Sequence, residues 1–131
     1  MLWNIEFYEA PNGKYPVAEF IDSLEVKPQA RIAQTLDLLE EFGIELGMPY
    51  TKYLEKQLWE LRIRVERNRY RIIYFLHTEK TFILLHGFTK KTSAVSRADI
   101  ETAKNRRDDY LSRRRGVNEL EGTKEEINAK S

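Results

Sequence analysis

The clearest periodicity in the chain is a two-residue alternation over residues 58–66. Trp59, Leu61, Ile63 and Val65 fall on one side, and Glu60, Arg62, Arg64 and Glu66 on the other. That is the pattern of a strand with one buried face. Asn68 tolerates positive φ, so Arg67-Asn68 predicts a reversal into a second strand over residues 69–76. A turn at Thr78-Glu79-Lys80 then leads into residues 81–88, apolar enough to lie inside a sheet. These three strands predict an antiparallel meander.

Upstream, aromatic-rich residues 3–8 predict a further strand, closed by Pro11-Asn12-Gly13. Pro16 suits a first helical position, and Val17, Phe20, Ile21 and Leu24 follow at helical spacing. Pro28 opens a second helix carrying Ile32, Ala33, Leu36, Leu39 and Phe42, with Gly43 placed to end it. Residues 43–56 have no period and predict a loop. Ser96, three residues before Asp99, resembles a helix cap. The helix after it has a sparse stripe of Ile100, Ala103, Arg107, Tyr110 and Leu111 and is expected to stop near Arg113 to Arg115. The order is β-α-α-β-β-β-α: an α+β fold with a small, mostly antiparallel sheet, a helical hairpin and a C-terminal helix. We expect one domain over residues 1–115 and a disordered polar tail over 116–131, which has too few apolar groups to offset the entropy of ordering.

Composition narrows the chemistry. With 131 residues, 41% of them hydrophobic and 33% charged, one modest core under a solvated surface is expected. No cysteine means no disulfide and no thiol nucleophile, and two histidines without cysteine make a zinc site an unsuitable reading, so neither metal nor cofactor is expected. An apolar run long enough for a membrane span and a signal-peptide pattern are both missing, which makes the cytoplasm the expected compartment. The overall charge of +1 conceals a division. Residues 1–43 carry three basic and eight acidic side chains, residues 44–98 eleven basic and five acidic, and residues 99–131 eight of each. A basic middle suits a polyanion, since each neutralised phosphate releases a counterion, although a solvated patch gives the same count.

Within that middle, Arg62 and Arg64 lie two apart on one predicted strand and Arg69 and Arg71 two apart on the next, while Lys90 and Lys91 leave the third. Correct hairpin register brings them onto one face. A single outward arginine is ordinary strand decoration paired across a ladder, with Glu60 and Glu66 at hand. The group as a whole points to anion binding, because guanidiniums and ammoniums outnumber nearby carboxylates. Lys52 and Arg97 extend the basic set as RNA contacts. His86 is either a semi-buried imidazole or a general base close to Lys90, and His77 reads as solvent-facing. Phosphate loops, nucleophile elbows and paired-carboxylate motifs are missing.

Residues 58–62 (Leu-Trp-Glu-Leu-Arg), 70–74 (Tyr-Arg-Ile-Ile-Tyr) and 84–92 (Leu-Leu-His-Gly-Phe-Thr-Lys-Lys-Thr), with Ala103 on the last helix, carry a resemblance. The chain resembles the phage-derived HigB-like branch of the RelE/ParE toxin superfamily from about Trp3 to Tyr110. The resemblance implies a RelE-like fold and the toxin of a type II toxin–antitoxin pair. It further implies a ribosome-dependent endoribonuclease that cuts mRNA by metal-free transphosphorylation, with a helix-turn-helix antitoxin as partner. ParE-like members share the fold and act on gyrase, and a degenerate member would keep only the antitoxin interface. By motif order, Arg62, Arg71 and Lys90 or Lys91 match the family's basic site residues. Glu60 stands where RelE has a lysine, and Arg97 near its tyrosine. For the base, the residues leave His86, Glu60 and a depressed lysine among Lys52, Lys90 and Lys91 open.

Overall fold

The computed structural model describes residues 2–92 and 94–130, with side chains through Arg114. Its elements are β1 (Asn4–Phe7), α1 (Pro16–Asp22), α2 (Val26–Phe42), a 3-10 turn (Gly43–Glu45), β2 (Thr51–Glu55), β3 (Leu58–Val65), β4 (Asn68–Thr78), β5 (Thr81–Lys90) and α3 (Arg97–Lys130). The sheet order is β1-β5-β4-β3-β2, antiparallel except for the parallel β1–β5 pair. This is the expected α+β architecture with one strand more. The segment 43–56 read as a loop contains β2, which pairs with β3 through the turn at Lys56 and Gln57, both at positive φ. Neither is glycine or asparagine, so turn chemistry gave no sign of it.

Both faces of the sheet are covered, by different elements. The α1–α2 hairpin packs on Leu61, Ile63, Ile72, Tyr74 and Leu84, with Val17, Ile32 and Leu39 as its own buried contribution. On the opposite face α3 sets Ile100, Ala103 and Tyr110 on Leu58, Ile73, Phe75, Ile83 and Leu85. The period-two strands therefore bury alternate residues against two different helical layers. Helix α3 runs on past the expected stop near Arg113 to Arg115, because Gly116 costs only about 1 kcal/mol inside a helix and no proline follows it. The side chains of 116–131, the expected disordered tail, lie outside those described.

Two local features set the aim of the strands. The β3–β4 turn falls at Glu66-Arg67, with Glu66 at φ 57°, one residue before the expected Arg67-Asn68. In β5, Ile73 faces His86 while Tyr74 faces Leu84, so Leu85 is an extra residue and a bulge. Beyond it the alternation inverts. Gly87 turns to the α1 side, where an added Cβ would lie 2.5 Å from the Phe20 ring, and Phe88 and Lys90 turn to the α3 side. Arg106 of α3 donates to the Leu85 carbonyl at 2.9 Å, satisfying backbone that the bulge leaves unpaired.

Candidate functional site

The register stacks the basic residues in rows on the α3 side of the sheet. Arg62 lies directly opposite Arg71, and Arg71 opposite Phe88; Arg64 is opposite Arg69, and Arg69 opposite Lys90. A third row runs Lys52, Glu60, Ile73, His86. Neighbouring strands are roughly 4.8 Å apart and side chains along one face roughly 6.6 Å apart, so six cations share one small surface with the carboxylate of Glu60. Glu66 does not compensate them, because it is bonded to Lys27 at 2.9 Å.

Period two places Glu60 and Arg71 on a polar face, yet both are buried, at 1% and 2% exposure. Each sits under its neighbours: Glu60 Oε2 lies 3.6 Å from Arg71 Nε and Oε1 lies 3.7 Å from Arg62 Nε. Glu60 Oε2 and Arg71 Nε have no hydrogen-bond partner, while Arg71 Nη1 donates to the Tyr70 carbonyl at 3.1 Å. Burial, opposed by Glu60, pushes Arg71 below the ordinary arginine value. Glu60 is thus an internal counter-charge that holds two guanidiniums side by side, and its own burial keeps it from meeting a substrate hydroxyl.

Arg62 is partly open, and Arg64 and Arg69 are exposed. With Arg31 and Thr35 of α2 and Tyr50 they line a cavity of about 430 Å³ at the sheet edge, where β3 runs beyond the reach of β2. Arg31 had no sequence signal, since only the docking of α2 beside β3 brings it there, whereas Tyr50 is an aromatic able to stack on a base. Lys90 stands beside this cluster, and its ammonium is lowered first by burial and then by the Arg71 guanidinium. Lys91 follows the end of β5 and is exposed, and Lys52 is exposed on the neighbouring strand.

Two expected site residues are occupied elsewhere. His86 donates from Nε2 to Asp99 at 2.7 Å, and Arg106 Nη1 lies 3.3 Å from its Nδ1. Burial, opposed by Asp99, lowers its pKa, and with both nitrogens engaged the imidazole clamps β5 to α3. Ile73 separates it from Glu60 by two strands, roughly 10 Å. Arg97 forms a bidentate pair with Glu55 at 2.8 and 3.0 Å and also approaches Glu101 at 3.4 Å. It joins α3 to β2 rather than the cluster. His77, read as solvent-facing, is half-buried against Tyr110 because α3 crosses it.

A larger cavity of about 580 Å³ lies at the other edge, along β1. Its cations are already paired, Arg114 with Glu6 at 3.0 Å and Arg113 with Asp109 at 2.6 Å, so it lacks the surplus charge of the first. Among the described residues no group of side chains could hold a metal ion, and no helix is long and apolar enough to cross a membrane.

A search of curated proteins found no match. The family model for phage derived protein Gp49-like (DUF891) matches residues 19–108, which span α1 through most of the α3 contact with the sheet. That family is associated with RelE/toxin-like proteins, and a toxin-like role with an antitoxin partner is consistent with it. With well over half of its length matched, the chain belongs to the phage-derived Gp49-like family.

Proposed function

We propose that the protein is the toxin of a type II toxin–antitoxin pair that binds mRNA on the ribosome through the Arg62–Arg64–Arg69–Lys90 face and cleaves it by transphosphorylation. The observation that carries the reading is the gathering of six cations around one buried carboxylate on four adjacent strands. In the reaction, the ribose 2′ oxygen attacks the adjacent phosphorus and its proton passes to solvent. The bond to the 5′ oxygen breaks, leaving a 2′,3′-cyclic phosphate and a 5′-hydroxyl.

Fixed guanidiniums fit the charge that develops on the phosphoryl oxygens, because donors held before reaction need no reorganisation. Arg62 is held by Glu60, and Glu60 in turn by Arg71, so Arg71 is a positioning residue beneath the contact surface. Lys90 combines a lowered pKa with partial exposure, which suits it to protonate the leaving 5′ oxygen. Lys52, Arg64, Arg69 and Lys91 attract phosphates.

Primer extension on mRNA bound to purified ribosomes tests this. Wild-type protein is expected to give discrete cleavage ends that Arg62→Gln and Lys90→Gln abolish, while Arg97→Gln retains them. Intact mRNA under conditions where the protein halts growth would instead place its target elsewhere.

A further inference from the structure

Five of the ten large apolar side chains that remain exposed among the described residues, Phe42, Ile44, Tyr53, Trp59 and Leu76, lie in one corner, while Tyr15 and Val26 stand elsewhere. Helix α2 ends at Phe42, and beyond it the hairpin-side face of β2, β3 and β4 is uncovered. Ile44, Trp59 and Leu76 border a groove of about 260 Å³ with buried Tyr74 and Phe82 in its lining. Tyr53 stands edge-on to Trp59 at 5.0 Å between ring centres, extending the wall. A contiguous apolar patch of this kind marks a protein contact.

The groove adjoins the cationic cavity. Tyr50 lines the cavity and Thr51, its neighbour, lines the groove. Met48 lies on the cavity side, with its sulfur 3.7 Å from Arg62 Nη1. Helix α2 flanks both, with Arg31 and Thr35 at the cavity and Gly43 following its last turn at the groove, so Arg31 stands roughly 18 Å from the groove at 1.5 Å per residue. Glu40, Glu41 and Glu45 lie in the segment that leads to the groove, a poor setting for RNA.

We infer that groove and cavity form one docking surface for a segment of a partner protein. That segment carries a bulky apolar side chain for the groove on the hairpin side and, from roughly 10 Å to roughly 18 Å further on, where the cavity opens around the sheet edge, carboxylates for Arg62, Arg64 and Arg31. About six extended residues or about twelve helical ones span the longer distance. The groove accepts one Leu- or Phe-sized anchor, the arrangement in which a single buried side chain dominates affinity. The inference rests on the reading of this protein as a toxin held by a protein partner, and it names the surface that partner covers: occupation of the cavity excludes RNA.

The test selects a twelve-residue displayed peptide library against the full-length protein and measures the recovered peptides by fluorescence anisotropy. Expected binders pair a bulky apolar residue with two or more carboxylates. Their Kd rises at least tenfold on Trp59→Ala, on Leu76→Ser and on Arg62→Gln, and does not change on Tyr15→Ser at the opposite edge. Binders indifferent to Trp59 and Leu76, or to Arg62, overturn the two-part surface. So does a dimer in sedimentation that Trp59→Ala dissociates, since a second copy would then fill the groove. Cleavage is scored separately: peptide binding without mRNA cleavage keeps this surface and discards the nuclease reading, and cleavage without peptide binding does the reverse.

Discussion

Leu58, Ile73 and Phe75 are sealed under α3, whereas Arg62, Arg64 and Arg69, on the same face of the same strands, meet solvent. The difference is not one of strand type, since β3 and β4 pair without interruption through both regions. It comes from where the helix stops reaching. Among the described residues, the hydrogen bonds of α3 to β5 extend as far as His86, and the rows of Arg62 and Arg64 lie beyond. One end of the face gains stability from apolar burial and the other holds unneutralised charge, with the Glu60–Arg71 pair at the border. Stability and anion binding should therefore respond to different substitutions.

The largest effect is expected at that border. Arg71→Ala leaves the buried Glu60 carboxylate without its buried counter-charge, only the partly open Arg62 remaining, and should cost about 3–5 kcal/mol in urea unfolding, while Glu60→Gln combined with Arg71→Met recovers most of it. A single variant as stable as wild type would mean that the pair is not desolvated.

Next comes the contrast itself. Ile73→Ala, beneath α3, should cost about 2–5 kcal/mol and leave RNA affinity unchanged where the protein stays folded. Arg64→Ala should stay within about 0.5 kcal/mol of wild type and weaken RNA binding. An exchange of these outcomes would dissolve the distinction between the two ends.

Smaller, and confined to the open end, is the salt response. Replacing Arg64 or Arg69 by Gln should lower the slope of log K against log salt by about 0.7 for each cation removed from a single-stranded ligand. An unchanged slope in both variants would remove these residues from the phosphate path.

The smallest effect belongs to the covered end. Burial first, with Asp99 opposing, holds His86 below its ordinary value of 6.5 in the folded protein. The unfolded chain then binds more protons below that value, so stability should fall as pH drops through 6.5 toward the folded pKa and be complete above it. His86→Gln should lack this component when unfolding midpoints are compared from pH 5 to 8. A wild-type curve that gains stability on acidification would reverse the assignment.

Much of this arrangement was legible from residue pattern. The alternation in β3 and the helix spacing in α2 follow from burial of apolar side chains, and the structure carries both. Placing the β3–β4 turn one residue late changed the partners but not the faces, because it shifts pairing by two and the pleat repeats every two residues. The convergence of arginines therefore survived the error. What sequence did not reveal depends on contacts between distant segments. Glu60 and Arg71 have the polarity of solvent-facing positions, and only packing buries them. Likewise, β2 lacks any alternation of its own, and Arg97 acquires its partner only where α3 meets Glu55.

The extra residue at Leu85 lets the sequence alternation change phase within one strand while the pairing on either side of it stays in step. Strand β5 consists of two half-strands whose sequence alternation is out of phase, so a period of two carried on from Phe82 and Leu84 would assign Phe88 and Lys90 to the hairpin side, whereas loss of the extra residue alone would leave Ile73 opposite His86 and Arg69 opposite Lys90. A relative without the extra position would thus keep the pairing of the cationic rows and lose the Leu85 side chain and carbonyl that α3 engages.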